Sequence, residues 1–364
     1  MSARTVLDAL RSTGVAAAIA SALLFGASTP LAKLLVGQMP PLLLAGLLYL
    51  GSGIGLALLL LLRAVRDQAA ARGLRIAARE WPWLLGAIAC GGLIGPALLM
   101  WGLTRIDGAS AALLLNVEGV LTALIAWWVF GENADRRIVA GMAAIVAGGV
   151  LLAWQPGSAS LSAGALLVAG ACLAWAVDNN LTRKVSTNDA MLVACLKGVL
   201  AGAGNTALAL AAGAQWPGAG AICASLAVGF LGYGLSLTLF VVALRTLGAA
   251  RTGAYFSVAP LFGVLVALLL WPEPPSAMFW SAAALMAVGV WLHVSERHSH
   301  AHTHEAIEHA HRHRHDEHHR HAHDFAWDGS EPHSHVHRHE VLTHRHPHYP
   351  DIHHRHRHAQ PAAR

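Results

Sequence analysis

Histidine is missing from the first 292 residues of this 364-residue chain, and charge is thin along the same stretch. Asp, Glu, Lys and Arg make up 12% of the sequence, about half the ~25% of a soluble domain. With 55% hydrophobic residues and a mean hydropathy of +0.50, this scarcity excludes a water-soluble globular protein and leaves a membrane protein. Cysteine is scarce too. Cys90, Cys172, Cys195 and Cys223 lie in apolar runs at no metal or redox spacing, which leaves them as small buried hydrophobes. The apolar runs hold no nucleophile–His–acid grouping, so no enzyme is expected. Arginine in the C-terminal segment is offset by acid, which excludes nucleic acid as a partner.

What is present is an internal repeat, the feature to settle first. Asp107 to Glu132, an apolar run with Glu118 at its middle, lies without a gap on Gly248 to Glu273 when shifted by 141 positions. Glu118 then falls on Ala259, Gly119 on Pro260, Gly148 on Gly289 and Gly91 on Gly232. Phe25 to Lys33 likewise pair with Trp175 to Arg183, so the N-terminal run belongs to the repeat and is not a cleaved signal peptide.

A spanning helix needs about 20 mostly apolar residues. Ten stretches qualify: 14–36, 40–62, 82–104, 109–130, 137–154, 163–182, 190–212, 220–244, 251–271 and 276–295. Lys and Arg gather in every second loop: Arg63, Arg66, Arg72, Arg75 and Arg79, then Arg136 and Arg137, then Arg183 and Lys184, then Arg245. The loops between them are bare except for Arg105. The positive-inside rule puts both termini in the cytoplasm. Five spans per copy is odd, so the second copy is expected upside down, a plan used by secondary transporters. The fold class expected is an all-α polytopic membrane protein of ten helices in two inverted five-helix repeats. The parts are a cytoplasmic N-terminus (1–13), a first repeat (14–154), an external linker (155–162), a second repeat (163–297) and a cytoplasmic tail (298–364).

Ionisable residues inside a span are expensive and mark function. Glu118 lies about ten residues from either end of its run, roughly 15 Å deep. Asp178 and Lys197 sit at similar depth in neighbouring spans and can pair, which would leave Glu118 alone to hold a proton or cation. Alternatively Lys197 reaches Glu118. Asn116, Asn179, Asn180 and Asn205 add polar groups in the same spans. Trp101, Trp175, Tyr233 and Tyr255 are cavity-lining candidates, as are the in-span prolines Pro30, Pro96 and Pro260, which free backbone groups. Glu132 and Glu273 mark helix–loop boundaries, and Lys33 is expected to snorkel.

The runs LLFGASTPLAKLL (23–35), ASAALLLNVEGVLTALIAWWVFGE and AARTGAYFSVAPLFGVLVALLLWPE resemble the EamA family of the drug/metabolite transporter superfamily. The resemblance covers residues 14–295. It implies ten spans, an inverted-repeat bundle and alternating access, often for export of amino acids or other metabolites. Family members usually carry proline where this chain has Gly119, and most lack a histidine-rich tail.

That tail, 298–364, holds 23 of the 24 histidines, many at alternate positions. Its composition cannot bury a core, so it is expected to be disordered without ligand. Neutral imidazole suits Zn²⁺, Ni²⁺, Co²⁺ and Cu²⁺. The candidate ligands are His311, His313, His315, His318, His319, His321, His323, His333, His335, His337, His339, His344, His346, His348, His353 and His354. A closed tetrahedral site needs a second run to fold back on the first. Proton sensing by the same rings, with attraction to anionic lipid, is a second option.

The function expected is a secondary transporter of the cytoplasmic membrane. Its cargo is a small metabolite, with the tail a metal-binding regulator, or a divalent transition metal that the tail buffers. A metal-sensing scaffold without transport is the rival class. No cofactor is required, though a Zn, Ni or Co ion on the tail is expected. The partners are a small-molecule or ion substrate and membrane lipid, with a homodimer left open.

Overall fold

Long apolar runs have one way to satisfy their own backbone in lipid, and that is the helix. The computed structural model describes residues 13–66, 75–130, 136–155, 160–185, 188–243, 255–256, 258–271, 274–294, 299–304, 308–313, 333–338 and 342–347. The helices in chain order are α1 (Thr13–Leu35), α2 (Pro41–Arg66), α3 (Trp81–Ala87), α4 (Gly95–Leu103), α5 (Gly108–Leu114), α6 (Asn116–Phe130), α7 (Arg136–Ala153), α8 (Ala163–Thr182), α9 (Ala190–Ala211), α10 (Ala219–Gly229), α11 (Ala259–Leu270) and α12 (Ala277–Val294). Among the described residues seven segments are long and apolar enough to cross a membrane: Gly14–Leu35, Pro41–Arg66, Ala78–Leu103, Gly108–Val129, Ala163–Thr182, Ala190–Ala211 and Ala219–Ala243. Three shorter apolar helices, Val139–Ala153, Ala259–Leu270 and Ala277–Leu292, stand where the fifth, ninth and tenth spans are expected. Glu132 and Glu273 lie outside the described residues.

Two expected spans of the first copy are not single α-helices. A π-helical turn, Ile88–Ile94, joins α3 to α4, and the fourth span breaks at Leu115 between α5 and α6. The linker between the copies opens on a two-residue ladder, β1 (Trp154–Gln155) against β2 (Ser160–Leu161).

Equivalent helices of the two copies pack directly on each other, through glycines. A Cβ added to Gly148 of α7 would come within 2.9 Å of the Ala282 carbonyl and 2.8 Å of Met286 on α12. A Cβ on Gly289 of α12 would come within 2.7 Å of the Gly141 carbonyl and 2.6 Å of Ile145 on α7. Gly148 and Gly289 are 141 apart, and so are Gly141 and Ala282, and Ile145 and Met286. The contact maps onto itself when the copies are exchanged. Along it numbers rise on one helix as they fall on the other, so α7 and α12 run antiparallel. The second pair behaves alike: Gly198 of α9 abuts Gly53 of α2, while Gly202 abuts Leu50 and Gly46.

Among the described residues of the tail, where no regular structure is expected, there are short strands. Four six-residue stretches are strands: β3 (Ser299–His304), β4 (Glu308–His313), β5 (His333–Arg338) and β6 (Leu342–Pro347). β3 pairs with β6 and β4 with β5, both antiparallel. The reason is in the pattern: a period of two suits a strand, and two such runs separated by a long connection can pair.

At the end of the bundle carrying the Arg-rich loop, Arg63 donates to Asp189 at 2.9 Å, beside a cavity of about 60 Å³ shared with Met191, Leu237, Thr238 and Val241. Asp189 also caps α9, accepting from the backbone N–H groups of Met191 (3.0 Å) and Leu192 (3.2 Å). Burial on its own would raise the Asp189 carboxyl, but the Arg63 hydrogen bond, the two backbone donors and the Arg63 charge hold it below the usual range. A lowered carboxylate stabilises the fold above its ordinary value near ~3.9 and loses that contribution as pH falls through the lowered one. The melting temperature of Arg63→Gln is therefore expected to fall below wild type at pH 7, with a narrower gap at pH 3. Thermal melts in detergent at both pH values check this, and a gap equally wide at low pH would refute it.

Gly289→Val is expected to cost on the order of 1–3 kcal/mol by overpacking against backbone. Gly119→Ala, where a Cβ meets nothing within 4 Å, is expected to be near neutral. Tryptophan-fluorescence melts of the two variants provide the comparison.

Candidate functional site

The site is built on the two helix breaks. In the first, the π-turn sends the Gly95 N–H to the Cys90 carbonyl, five residues back. Pro96 follows and has no N–H to give. The carbonyls of Gly91 and Gly92 would be left without donors, and side chains serve them. Tyr49 Oη (2.7 Å) and Trp175 Nε1 (2.9 Å) donate to Gly91, and Asn205 Nδ2 (2.9 Å) donates to Gly92. The second copy has a π-turn at the equivalent place, Phe230–Leu235, which contains Gly232.

The second break, at Leu115, puts Glu118 in the first turn of α6. The Glu118 N–H donates to the Leu115 carbonyl at 3.1 Å, and the helix dipole attracts an acid at such an end. Asn116 Nδ2 donates to the Leu113 carbonyl at 2.9 Å, so Asn116 seals the break and does not reach Glu118. The matching break in the second copy is the start of α11, where Ala259 stands for Glu118. Pro260 thus opens a helix and does not kink one.

Glu118 Oε1 accepts a hydrogen bond from Asn179 Nδ2 at 2.9 Å, and Asn179 also lies 3.3 Å from Thr122 Oγ1. Glu118, at the middle of its span, is part-accessible, and Asn179, in the last turn of α8, is exposed. Asn180 Nδ2 donates to the carbonyls of Ala176 (2.9 Å) and Thr122 (3.3 Å), while its buried Oδ1 has no partner among the described residues.

Lys197 settles the pairing question. Its Nζ lies 2.6 Å from both carboxylate oxygens of Asp178, and Thr182 Oγ1 donates to Asp178 Oδ1 at 2.8 Å. Asp178 rests against Gly91, where a Cβ would collide with its carboxylate. Glu118 forms no salt bridge among the described residues, though it feels the charges of Asp178 and Lys197. The pair is neutral, so the cluster carries one net negative charge when Glu118 is ionised.

The remaining candidates divide. Trp175 belongs to the site. Tyr233 lies beside Tyr49, with ring centres 5.5 Å apart, and meets Phe25 at 6.1 Å. Tyr255 packs instead on Ala17, Ala18 and Ala243. Trp101 is 41% exposed and its carbonyl accepts from Thr104 and Arg105, so it lies apart from the cluster. Pro30 is buried beside Gly108 and Trp271, away from Glu118. Lys33 donates to the Leu103 carbonyl. Sequence reasoning missed Tyr49, Thr122 and Thr182. A tyrosine in the middle of an apolar run was the one available signal among them.

Of the metal candidates, His311 and His313 stand on β4, His333, His335 and His337 on β5, and His344 and His346 on β6. His315, His318, His319, His321, His323, His339, His348, His353 and His354 lie outside the described residues. Among residues whose side chains are described, no three metal-ligating groups come together.

The model of the EamA-like transporter family matches residues 12–154 and again 162–295. The chain belongs to that family. An uncharacterized transporter of Methanothermobacter thermautotrophicus is 26% identical over 294 residues, 77% of this chain and 85% of that protein. A Pseudomonas paraeruginosa protein, named as a probable 4-amino-4-deoxy-L-arabinose-phosphoundecaprenol flippase subunit, ArnE, is 43% identical over 75 residues. That match spans 21% of this chain and 63% of the relative. A solved structure described simply as a crystal structure of protein shares the fold, with a TM-score of 0.57 at 22% identity, over 78% of this chain and 96% of that one. An EamA chain with these relatives is a multi-pass membrane transporter, working on a small molecule in a lipid setting.

Removing one partner of a buried ion pair strands the other charge, at a cost of about 3–5 kcal/mol. Lys197→Met is expected to lower stability by that order, and Asp178→Asn added to it should restore most of the loss. A double-mutant cycle by thermal melts is the measurement.

Proposed function

We propose that this EamA-family protein is a secondary carrier, not an enzyme. Ten spans in two inverted halves alternate access to a mid-membrane site, and a small metabolite is exported from the cytoplasm across the cell membrane. Glu118 is the coupling group, and both termini are cytoplasmic. The carrying observation is the division of charge: Lys197 is committed to Asp178, leaving the part-accessible Glu118 held, among the described residues, by Asn179 alone. A carboxylate so placed exchanges a proton or a cationic cargo group as the site turns from one face to the other. Inversion is supported by the antiparallel run of α7 with α12 and of α2 with α9, each a pair of equivalent helices. The ArnE name adds an amino-sugar lipid to the metabolite classes worth screening.

The tail binds a divalent transition metal, Zn, Ni or Co, as a regulator. The paired histidine runs favour one second reading, in which that metal is itself the cargo.

Proteoliposomes under an imposed pH gradient test the carrier. Amino acids, amino sugars and radiolabelled metals are offered in parallel. Glu118→Gln is expected to reduce gradient-driven flux to the level of empty liposomes while melting like wild type. Flux and pH dependence equal to wild type would reject its coupling role. No flux of any cargo by wild type would favour a metal-sensing scaffold.

A further inference from the structure

The tail's two ladders share one register. In β3–β6, His300 stands opposite His346 and His302 opposite His344. In β4–β5, His309 stands opposite His337, His311 opposite His335 and His313 opposite His333. Every histidine of β4 is thus matched by a histidine of β5, and two of the three in β3 by histidines of β6. Residues two apart share a face of a strand and lie about 6.6–6.8 Å apart. Directly opposed residues have Cβ atoms about 4.5–5.5 Å apart. Each ladder therefore places a two-by-two block of histidines on one face. The other face of β4–β5 carries Ala310, Arg312, Ser334 and Val336, with Glu308 opposite Arg338. A slip of one residue would set histidines against these other residues, and the opposite charges at the Glu308–Arg338 position favour the register found.

We propose that each block is a four-imidazole centre for one divalent transition metal. His300, His302, His344 and His346 form one, and His309, His311, His335 and His337 form the other, which His313 and His333 extend. This rests on the metal-binding reading of the tail and adds to it the sites, the ligands and a number, two. Tetrahedral zinc wants four nitrogens at ~2.0–2.1 Å, hence about 3.3 Å from one another. Four histidines at the corners of a rectangle of roughly 5 by 7 Å are spaced for one such ion. His300, His302 and His309 enter the ligand set on register alone, since spacing along the sequence does not single them out.

The test uses the full chain in nanodiscs, titrated with Zn²⁺ by calorimetry and with Co²⁺ by visible absorption, where tetrahedral coordination has its own spectrum. Wild type is expected to bind two ions tightly. The combination His309→Gln, His311→Gln, His335→Gln and His337→Gln should remove one ion and leave the other unchanged. The same number of changes at His353, His354, His356 and His358 should leave both. A finer pair of variants reads the register: His311→Gln with His335→Gln weakens one centre, whereas His311→Gln with His344→Gln weakens both. Equal losses from the two four-residue sets would mean that histidine content alone binds metal, overturning the centres but not the metal-binding tail. No tight ion on wild type would overturn both.

Discussion

A backbone carbonyl in lipid that lacks a donor costs several kcal/mol, and the interior of this protein is arranged around two of them. The π-turn and Pro96 free the carbonyls of Gly91 and Gly92, and Tyr49, Trp175 and Asn205 hold them from three other helices. The break therefore ties together α2, α3–α4, α8 and α9, which come from both copies. A straight helix would need none of these bonds and would present no irregular backbone at mid-depth. The glycine at the break also has a second use. Its missing side chain is what admits the Asp178 carboxylate.

The two copies share a scaffold and differ in what they place on it. Gly91 and Gly232 are equivalent, and each is covered by the equivalent helix of the other copy. Asp178 covers Gly91, and Ser28, its counterpart 150 positions earlier, covers Gly232 at 2.5 Å from a built Cβ. Glu118 likewise has Ala259 as its counterpart, and Gly119 has Pro260. Among the described residues the charges of this cluster thus fall on one side of the pseudo-symmetry: α6, α8 and α9. Symmetric packing supplies two nearly interchangeable halves, while asymmetric chemistry confines the polar cluster to one of their two interfaces. A carrier with one coupling group needs both properties at once.

The repeat, and with it the equivalence of Gly148 with Gly289, was legible in the sequence because helix periodicity and small-residue contacts leave marks at fixed offsets. The family model likewise matches two successive segments, 12–154 and 162–295. That Glu118, Asp178 and Lys197 lie within long apolar helices was legible too, since an ionisable residue stands out in an apolar run. Their pairing was not. Depth allows Lys197 to meet either acid, and the choice depends on rotation about α8 and α9, which Thr182 and the space at Gly91 decide together. Pro96 and Pro260 looked alike as in-span prolines, yet one follows a π-turn and the other opens a helix. The difference lies in backbone hydrogen bonds that composition does not record. Tyr49 escaped notice because a hydrogen bond to a freed carbonyl leaves no trace in spacing.

The tail shows the same limit from the other direction. Composition pointed to a chain without regular structure, because nothing in it can form an apolar core. A ladder needs no core, however, if its cross-strand positions are held in another way. Alternating histidine gives a period of two, and the two runs are related so that histidine meets histidine at five register positions. Without a ligand, such a ladder would rest on backbone bonds alone, and an isolated two-stranded hairpin is marginal in water. Metal ions bridging the strands would supply the missing cohesion, as they do in small domains that fold around zinc. On that account the order of the tail is itself a measure of metal concentration. The membrane part, whose backbone partners and Asp178–Lys197 pair all lie within it, would keep its fold whether or not the tail is loaded.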